Sequence, residues 1–315
     1  MMPDLAALGG RRVFVTGAAG FLGGHVTRLL VDAGAEVDAL RHRGAPAAAG
    51  GATWHQGDLL DGRWLRDLLA GINPEFVFHL AAYGARPGEQ HRERMIAVNV
   101  NGSAALWSAL PGTVRRVVIA GTCREYADAQ GPVAEDYPCD PRSSYLASKH
   151  GAVVLLSAFA REDGRSLVVL RPFGPYGPGD DSDRVVPFAI RRLMAGEPVL
   201  LSPGDQLCDF AFVEDHARAF ALAALANVPE PVAIYNIGSG SSMTLRSVIE
   251  TAADAVGGGA ANRLQFGALT YRPGDSRAVC ADIGAARRDL GYEPTVPLRD
   301  GLERTVRWMR SMVRS

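Results

Sequence analysis

No apolar run in this chain approaches the roughly 18 residues needed to cross a bilayer, so no membrane is expected as a partner. Charge of one sign is also missing. The 33 Lys and Arg residues against 34 Asp and Glu leave a formal net charge of −1. That balance removes the broad basic field that holds nucleic acid, and no block of like charge suggests an interaction tail. Cysteine is scarce. Cys123, Cys139, Cys208 and Cys280 stand apart without paired metal-ligand spacing, so no metal is expected and the thiols read as reduced, in a cytoplasmic protein. At the N-terminus two arginines follow a short apolar stretch, the reverse of a signal peptide.

What is present is enough apolar material, 47% of 315 residues, for a large core. The first half alternates short apolar runs (13–15, 36–40, 53–56, 76–80, 117–120 and 167–170) with longer helical patterns near 21–33, 62–70, 92–110 and 144–162. Apolar strands alternating with helices predict an α/β fold, a doubly wound parallel sheet covered on both faces. After Arg171 the regularity breaks at the Pro- and Gly-rich stretch RPFGPYGPGDDSD. Beyond it, further helical patterns and the short strand 232–237 predict a smaller mixed C-terminal lobe.

Gly17-Ala-Ala-Gly20-Phe21-Leu22-Gly23 lies between the first strand and the first helix. Glycines there allow a sharp turn and close approach of a pyrophosphate, and the helix N-terminus offers free N–H groups to it. This Rossmann-type placement predicts a dinucleotide site. At the tip of the second strand an NAD site wants a carboxylate for the ribose 2′-hydroxyl. Arg41 stands there instead, followed by His42 and Arg43, with Asp38 three residues too early. Arginine suits a 2′-phosphate, so NADP(H) is favoured over NAD(H).

Tyr145 and Lys149 share a helical face at spacing i, i+4, and a nearby ammonium favours the phenolate form of tyrosine. The strand ending at Ala120 delivers Thr122 to the C-terminal edge of the sheet, where such folds bind ligands. His79, inside the fourth strand, reads as a packed core histidine.

The glycine loop, VFHLAA at 77–82, Asn99 in NVNG, Thr122, Tyr145/Lys149, RPFGPYGPG at 171–179, GDQLCDFAFVEDHARA at 204–219, YNIGSGSSMTL at 235–245 and YRPGD at 271–275 occur in order. Together they resemble the extended short-chain dehydrogenases/reductases, the NAD-dependent epimerases and dehydratases of nucleotide sugars. The resemblance implies a Rossmann domain over 1–171 and a substrate lobe over 172–315, with some chain returning to the first domain. It also implies a homodimer and a nucleotide-sugar substrate. Thr122, Tyr145 and Lys149 would be the catalytic triad. Asp58 and Leu59 would flank the adenine, Leu80, Ala81 and Ala82 would line the cofactor cleft, and Pro172 and Phe173 would approach the nicotinamide. Tyr83, Cys123, Arg124, Gly174, Arg184, Cys208 and Arg272 are the corresponding substrate-facing candidates.

Several positions depart from the pattern. The 4,6-dehydratases carry an Asp-Glu pair after the threonine, an acid and a base for removing water; here Cys123 and Arg124 stand in that place. An Asn and an Arg that usually meet the diphosphate are Gly174 and Cys208. The Thr122–Tyr126 segment and the Arg41 turn also resemble nucleotide-4-keto-6-deoxysugar reductases, of the CDP-paratose-synthase kind. The expected reaction is NADPH-dependent reduction of a keto group on a nucleotide-activated deoxysugar. The alternative is an NAD-dependent 4-epimerase.

Overall fold

The computed structural model describes residues 4–42, 50–85, 88–129, 131–180, 183–228, 231–271 and 278–314; Arg43 and Arg272 lie outside them. Seven strands form the main sheet: β1 (Arg12–Thr16), β2 (Glu36–Arg41), β3 (Thr53–Gln56), β4 (Phe76–His79), β5 (Arg116–Ala120), β6 (Ser166–Pro172) and β7 (Val232–Ile237). Their spatial order is β7-β6-β5-β4-β1-β2-β3, and every pairing is parallel. The chain winds outward through β1, β2 and β3, then restarts on the other side of β1 with β4. That reversal opens a crevice at the C-terminal ends of β1 and β4, the place where open α/β sheets bind ligands.

Parallel strands need crossovers, and the helices that supply them cover both faces. The helices are α1 (Phe21–Asp32), α2 (Gly62–Ile72), the composite α3 (92–108), α4 (Ser144–Asp163), α5 (Val185–Met194), α6 (Val213–Leu225), α7 (Leu245–Val256) and α8 (Leu298–Arg314). One face of the sheet is covered through Val26 and Leu30 of α1 and Phe220 and Leu222 of α6. The other is covered by Leu65 and Leu69 of α2, Leu106 and Trp107 of α3, and Val153 and Leu156 of α4. Full burial of such a side chain contributes about 1.5–3 kcal/mol. A third cluster, with Val186 and Ile190 of α5, Val248 and Ile249 of α7, and Leu302 and Val306 of α8, is the core of the lobe.

Two local features set up the site. Ser143 caps α4 by accepting the Leu146 N–H, and Gly164 ends the helix in a left-handed conformation, φ 63°. Tyr145 therefore falls in the first turn, beside the sheet's C-terminal edge. Helix α3 joins Arg92–Met95 and Gly102–Ser108 through a π-helical stretch, Ile96–Asn101, a widening often found at functional sites. After β5, the chain passes through Pro132–Val133, which pairs with Ala278–Ala281; that strand in turn pairs with Leu207–Cys208. This small sheet stitches the Thr122 loop to the lobe. Among the described residues no helix is long and apolar enough to cross a membrane.

Candidate active site

The glycine loop has no room for side chains. Gly17 has φ +72°, and a Cβ there would lie 2.5 Å from Ala81 N at the end of β4. A Cβ on Gly23 would overlap the Gly17 carbonyl. Gly20 begins α1 and no side chain caps the helix, so its first-turn N–H groups stay available with the positive end of the helix dipole. This bare cradle fits a dinucleotide pyrophosphate. Phe21 sits at its rim, with His25 edge-on to its ring and the Arg184 guanidinium 5.8 Å above the ring centre; Leu22 is half-buried behind it.

At the tip of β2, Arg41 pairs with Gln56 of β3 and is half-buried. Asp38 is engaged elsewhere: its Oδ1 lies 2.6 Å from His55 Nε2. Asp58 is half-exposed and contacts His42 Nε2 at 3.2 Å, whereas Leu59 is packed into the core under the α2 face. The adenine-flanking expectation thus places one residue at the surface and one inside. Leu80 and Ala81 are half-buried and Ala82 exposed, just past the end of β4. Phe173 is not aimed outward. The residue is 1% exposed and its ring packs against Tyr126 with ring centres 6.3 Å apart; its N–H donates to Ile237 O at 2.8 Å, its carbonyl lies 3.0 Å from His216 Nε2, and Pro172 beside it is buried as well.

Thr122, Tyr145 and Lys149 come from two elements, the end of β5 and the first turns of α4. Thr122 Oγ1 accepts the Arg124 N–H at 3.3 Å, which leaves the hydroxyl proton free to point at a ligand. Asn99, brought inward by the π-helical stretch, ties α4 to the loop after β4. It accepts the Tyr83 N–H at 2.7 Å and donates to Tyr83 O and Ser148 Oγ, both at 2.8 Å. Gly84, φ +102°, is the only residue type that fits beside the Tyr145 ring, since a Cβ would stand 3.0 Å from Tyr145 Cδ2.

Electrostatics correct one expectation. Burial raises the Tyr145 pKa, opposed first by Arg184 and then by Arg124, so the neighbouring lysine does not by itself bring the phenol toward neutrality. Lys149 is itself buried, and burial lowers its pKa while Glu125 opposes the shift. His79 behaves as expected of a core histidine. Its Nδ1 is 2.6 Å from Thr16 Oγ1 and its Nε2 2.8 Å from Ser103 Oγ, and burial lowers its pKa to about 3.

Sequence reasoning assigned no role to Glu125, which is fully buried behind Thr122. Its Oε1 accepts the Thr122 N–H at 2.9 Å, and its Oε2 lies 3.1 Å from His150 Nδ1. Arg171 Nε stands 3.4 Å from the same oxygen, close enough for an ion pair but not aligned as a hydrogen bond. Glu125, Cys139 and His150 have ligand-type atoms within 4.8 Å of one another, but the Arg171 guanidinium lies among them, 3.5 Å from Cys139 Sγ, and already supplies the positive charge. Sequence periodicity carries no signal for such a cluster. A signal for Lys149 did exist: it is the only lysine in the chain, the other 32 basic residues being arginines.

The three departures meet on one wall. Burial pushes the Cys123 thiol up to about 12, opposed by Arg124 and by the Gly174 main chain. Gly174 in turn backs directly onto the carbonyl of Asp209, next to Cys208, whose Sγ turns to Gln206 O at 3.8 Å. Arg124 is exposed at the mouth.

A sequence model of the NAD-dependent epimerase/dehydratase family matches residues 13–238, and the chain belongs to that family. It is 31% identical to a dTDP-glucose 4,6-dehydratase of an Actinoplanes species, over 95% of this chain and 98% of that one. Among solved structures it resembles MoeE5 in complex with UDP-glucose and NAD (35% identity, TM-score 0.85, 96% and 99% of the two chains). It also resembles a UDP-glucose 4-epimerase from Thermotoga maritima with UDP-glucose (28%, TM-score 0.87, 96% and 99%). The protein is thus a nucleotide-sugar-modifying enzyme of an NAD-dependent, extended short-chain dehydrogenase/reductase family.

Proposed function

We propose that the protein is an NADPH-dependent ketoreductase acting at a keto carbon, C4, of a nucleotide-activated deoxysugar. One observation carries the choice among the family's reactions. Where the 4,6-dehydratase pattern places an acid–base pair, this chain has the Cys123 thiol, held protonated by a pKa pushed up to about 12, and the cation Arg124. The nearest carboxylate in sequence, Glu125, is closed off by Thr122, His150 and Arg171. Elimination of water lacks its acid and base, and carbonyl chemistry remains.

The bare glycine cradle supports a bound dinucleotide, with Arg41 at the ribose. When bound, the nicotinamide supplies hydride. The chain's own residues do the rest. Thr122 donates its free hydroxyl proton to orient the keto oxygen, Tyr145 protonates that oxygen as it gains charge, and Lys149 stabilises the phenolate left behind and holds the nicotinamide ribose. The sheet body over 1–171 takes the cofactor. The lobe over 172–315 takes the sugar nucleotide, through Arg184 and Arg272, with Tyr83 contributed by the sheet body. A homodimer through α3 and α4 is supported by the exposed Ile96 and Val154 on those helices.

Bound UDP-glucose and NAD in MoeE5, the structure with 35% identity, favour a second reading, 4-epimerisation with retained NAD. One experiment separates the two. Nucleotide-4-keto-6-deoxyhexoses are offered with NADPH while absorbance and product are followed, and one NADPH is expected to disappear per sugar reduced. Purification with tightly bound NAD, and interconversion of two sugar nucleotides without added cofactor, gives the epimerase its place.

A further inference from the structure

Lys149, the single lysine of the chain, is held in a pocket of few charges. His79 faces it from β4 and is neutral, because burial lowers its pKa to about 3. Tyr145 lies one turn earlier on α4. Glu125 reaches in from the turn after β5, and its field opposes the loss of the lysine's proton. Around that carboxylate stand Arg171 from β6 and His150 from α4.

A fully buried carboxylate is costly unless it is paired and hydrogen-bonded, and this one is provided for. Its two oxygens divide their partners: Oε1 takes the Thr122 N–H and Oε2 faces His150 and Arg171. Arg171 is fixed from behind, donating to Tyr126 Oη at 2.8 Å and to Glu135 O at 3.1 Å. Space for the pair is made by Gly121, where a Cβ would sit 2.9 Å from Glu125 Oε1 and 3.2 Å from Arg171 Cγ. An apolar residue at 125 could fill the volume without any of these provisions, and buried ion pairs add little net stability over apolar packing.

We propose that Glu125 is a positioning residue: clamped between Arg171 and His150, its carboxylate fixes the main chain of Thr122 and sets the field at Lys149, joining the β5 loop and α4 into one unit. The proposal rests on the reading of Thr122, Tyr145 and Lys149 as the reacting set. It adds a fourth residue, which acts through two of them and touches no substrate.

The single lysine makes the test direct. Untagged full-length protein carrying ¹³C,¹⁵N-labelled lysine gives one lysine side-chain signal, and its titration is followed in wild type and in Glu125→Gln. The glutamine keeps the size and the oxygen that accepts from Thr122 but removes the charge. The signal is expected to titrate at lower pH in the variant. In turnover, kcat is expected to fall about tenfold with KM little changed, and the alkaline limb of the rate profile to move to lower pH. Equal titration midpoints in two folded proteins overturn the proposal, whatever the substrate. A midpoint that moves as expected, with no nucleotide sugar turned over, leaves the role of Glu125 standing and sinks the proposed reaction. If the glutamine variant does not fold, Glu125→Asp retains the charge but withdraws it from Thr122. Its lysine titration then stays near wild type while kcat drops, and an unchanged kcat overturns the positioning role.

Discussion

Gly174 and Asp209 touch so closely that no side chain fits between them: a Cβ on Gly174 would overlap the Asp209 carbonyl oxygen, and Gly174 itself has φ +40°. Asp209 cannot move away. Its buried carboxylate accepts the N–H groups of Ser239 at 2.7 Å, Gly240 at 3.1 Å and Ala281 at 3.1 Å. With the Gly174 main chain also close enough to Cys123 to act on its thiol, the apparent losses of a diphosphate-binding Asn and of a catalytic Asp belong to one packed wall, continuous with Cys208.

The first prediction concerns that wall. Gly174→Ala meets both the left-handed backbone and the overlap with a fixed carbonyl, and is expected to destabilise the fold by about 2–4 kcal/mol. Gly174→Asn fares no better, although asparagine tolerates the backbone conformation, because the overlap starts at Cβ. Urea midpoints decide it. A variant within about 0.5 kcal/mol of wild type means that the 208–210 segment yields and the wall is soft.

The second prediction separates proton transfer from binding. Tyr145→Phe removes only the phenolic oxygen. Turnover is expected to fall by about 10²–10⁴ while dinucleotide affinity, measured by titration calorimetry, stays within a factor of about two. Lys149→Met removes a charge assigned two tasks and is expected to damage both quantities. Wild-type turnover in the phenylalanine variant removes Tyr145 from the mechanism.

The glycine loop, the strand order and the two-element origin of the reacting set were legible because each rests on a local rule: glycine at a tight turn, apolar strands between helices, i, i+4 spacing on one helix. What was not legible depended on contacts between distant segments. Phe173 looked like a cofactor contact by position, yet the turn to φ +40° at Gly174 follows a ring already packed on Tyr126. The lysine was expected to govern Tyr145, but desolvation, a property of the assembled pocket, outweighs it. Glu125 and Arg171 lie 46 residues apart and meet only because β5 and β6 are neighbours.

The third prediction is a pH dependence of stability. His79 is held neutral in the fold, with its pKa lowered from 6.5 to about 3; His25 and His216 are shifted in the same direction by burial. The unfolded chain takes up these protons first, so the stability is fully present above pH 6.5 and is lost as pH falls toward the folded value. His79 alone contributes a slope of about 1.4 kcal/mol per pH unit in that window. His79→Gln is expected to be less stable at pH 7 but to lose stability more slowly between pH 6 and 4, as read from urea midpoints. Parallel slopes in the two proteins show that His79 is not protonated on unfolding over this range.

The last prediction concerns which dinucleotide the crevice takes. A carboxylate at the end of β2 accepts both ribose hydroxyls of NAD and repels a 2′-phosphate. Here the strand ends in Arg41, and the carboxylate of the strand nearest that end, Asp38, is held at 2.6 Å by His55 from β3. MoeE5 and a dTDP-glucose 4,6-dehydratase from Streptomyces venezuelae were both solved with NAD, so a preference for NADPH would set this chain apart from them. Wild type is expected to bind NADPH more tightly than NADH. Arg41→Ala should weaken NADPH by about 1.5–3 kcal/mol, the value of one charge-assisted hydrogen bond, and leave NADH nearly unchanged. Asp38→Asn should affect neither, because its partner is His55 and not a ribose. A preference for NADPH that survives Arg41→Ala moves the 2′-phosphate to another cation, Arg43 being next in sequence. Tighter binding of NADH by wild type, weakened by Asp38→Asn, would show that Asp38 leaves His55 to hold the ribose, and the proposed dependence on NADPH would fall with it.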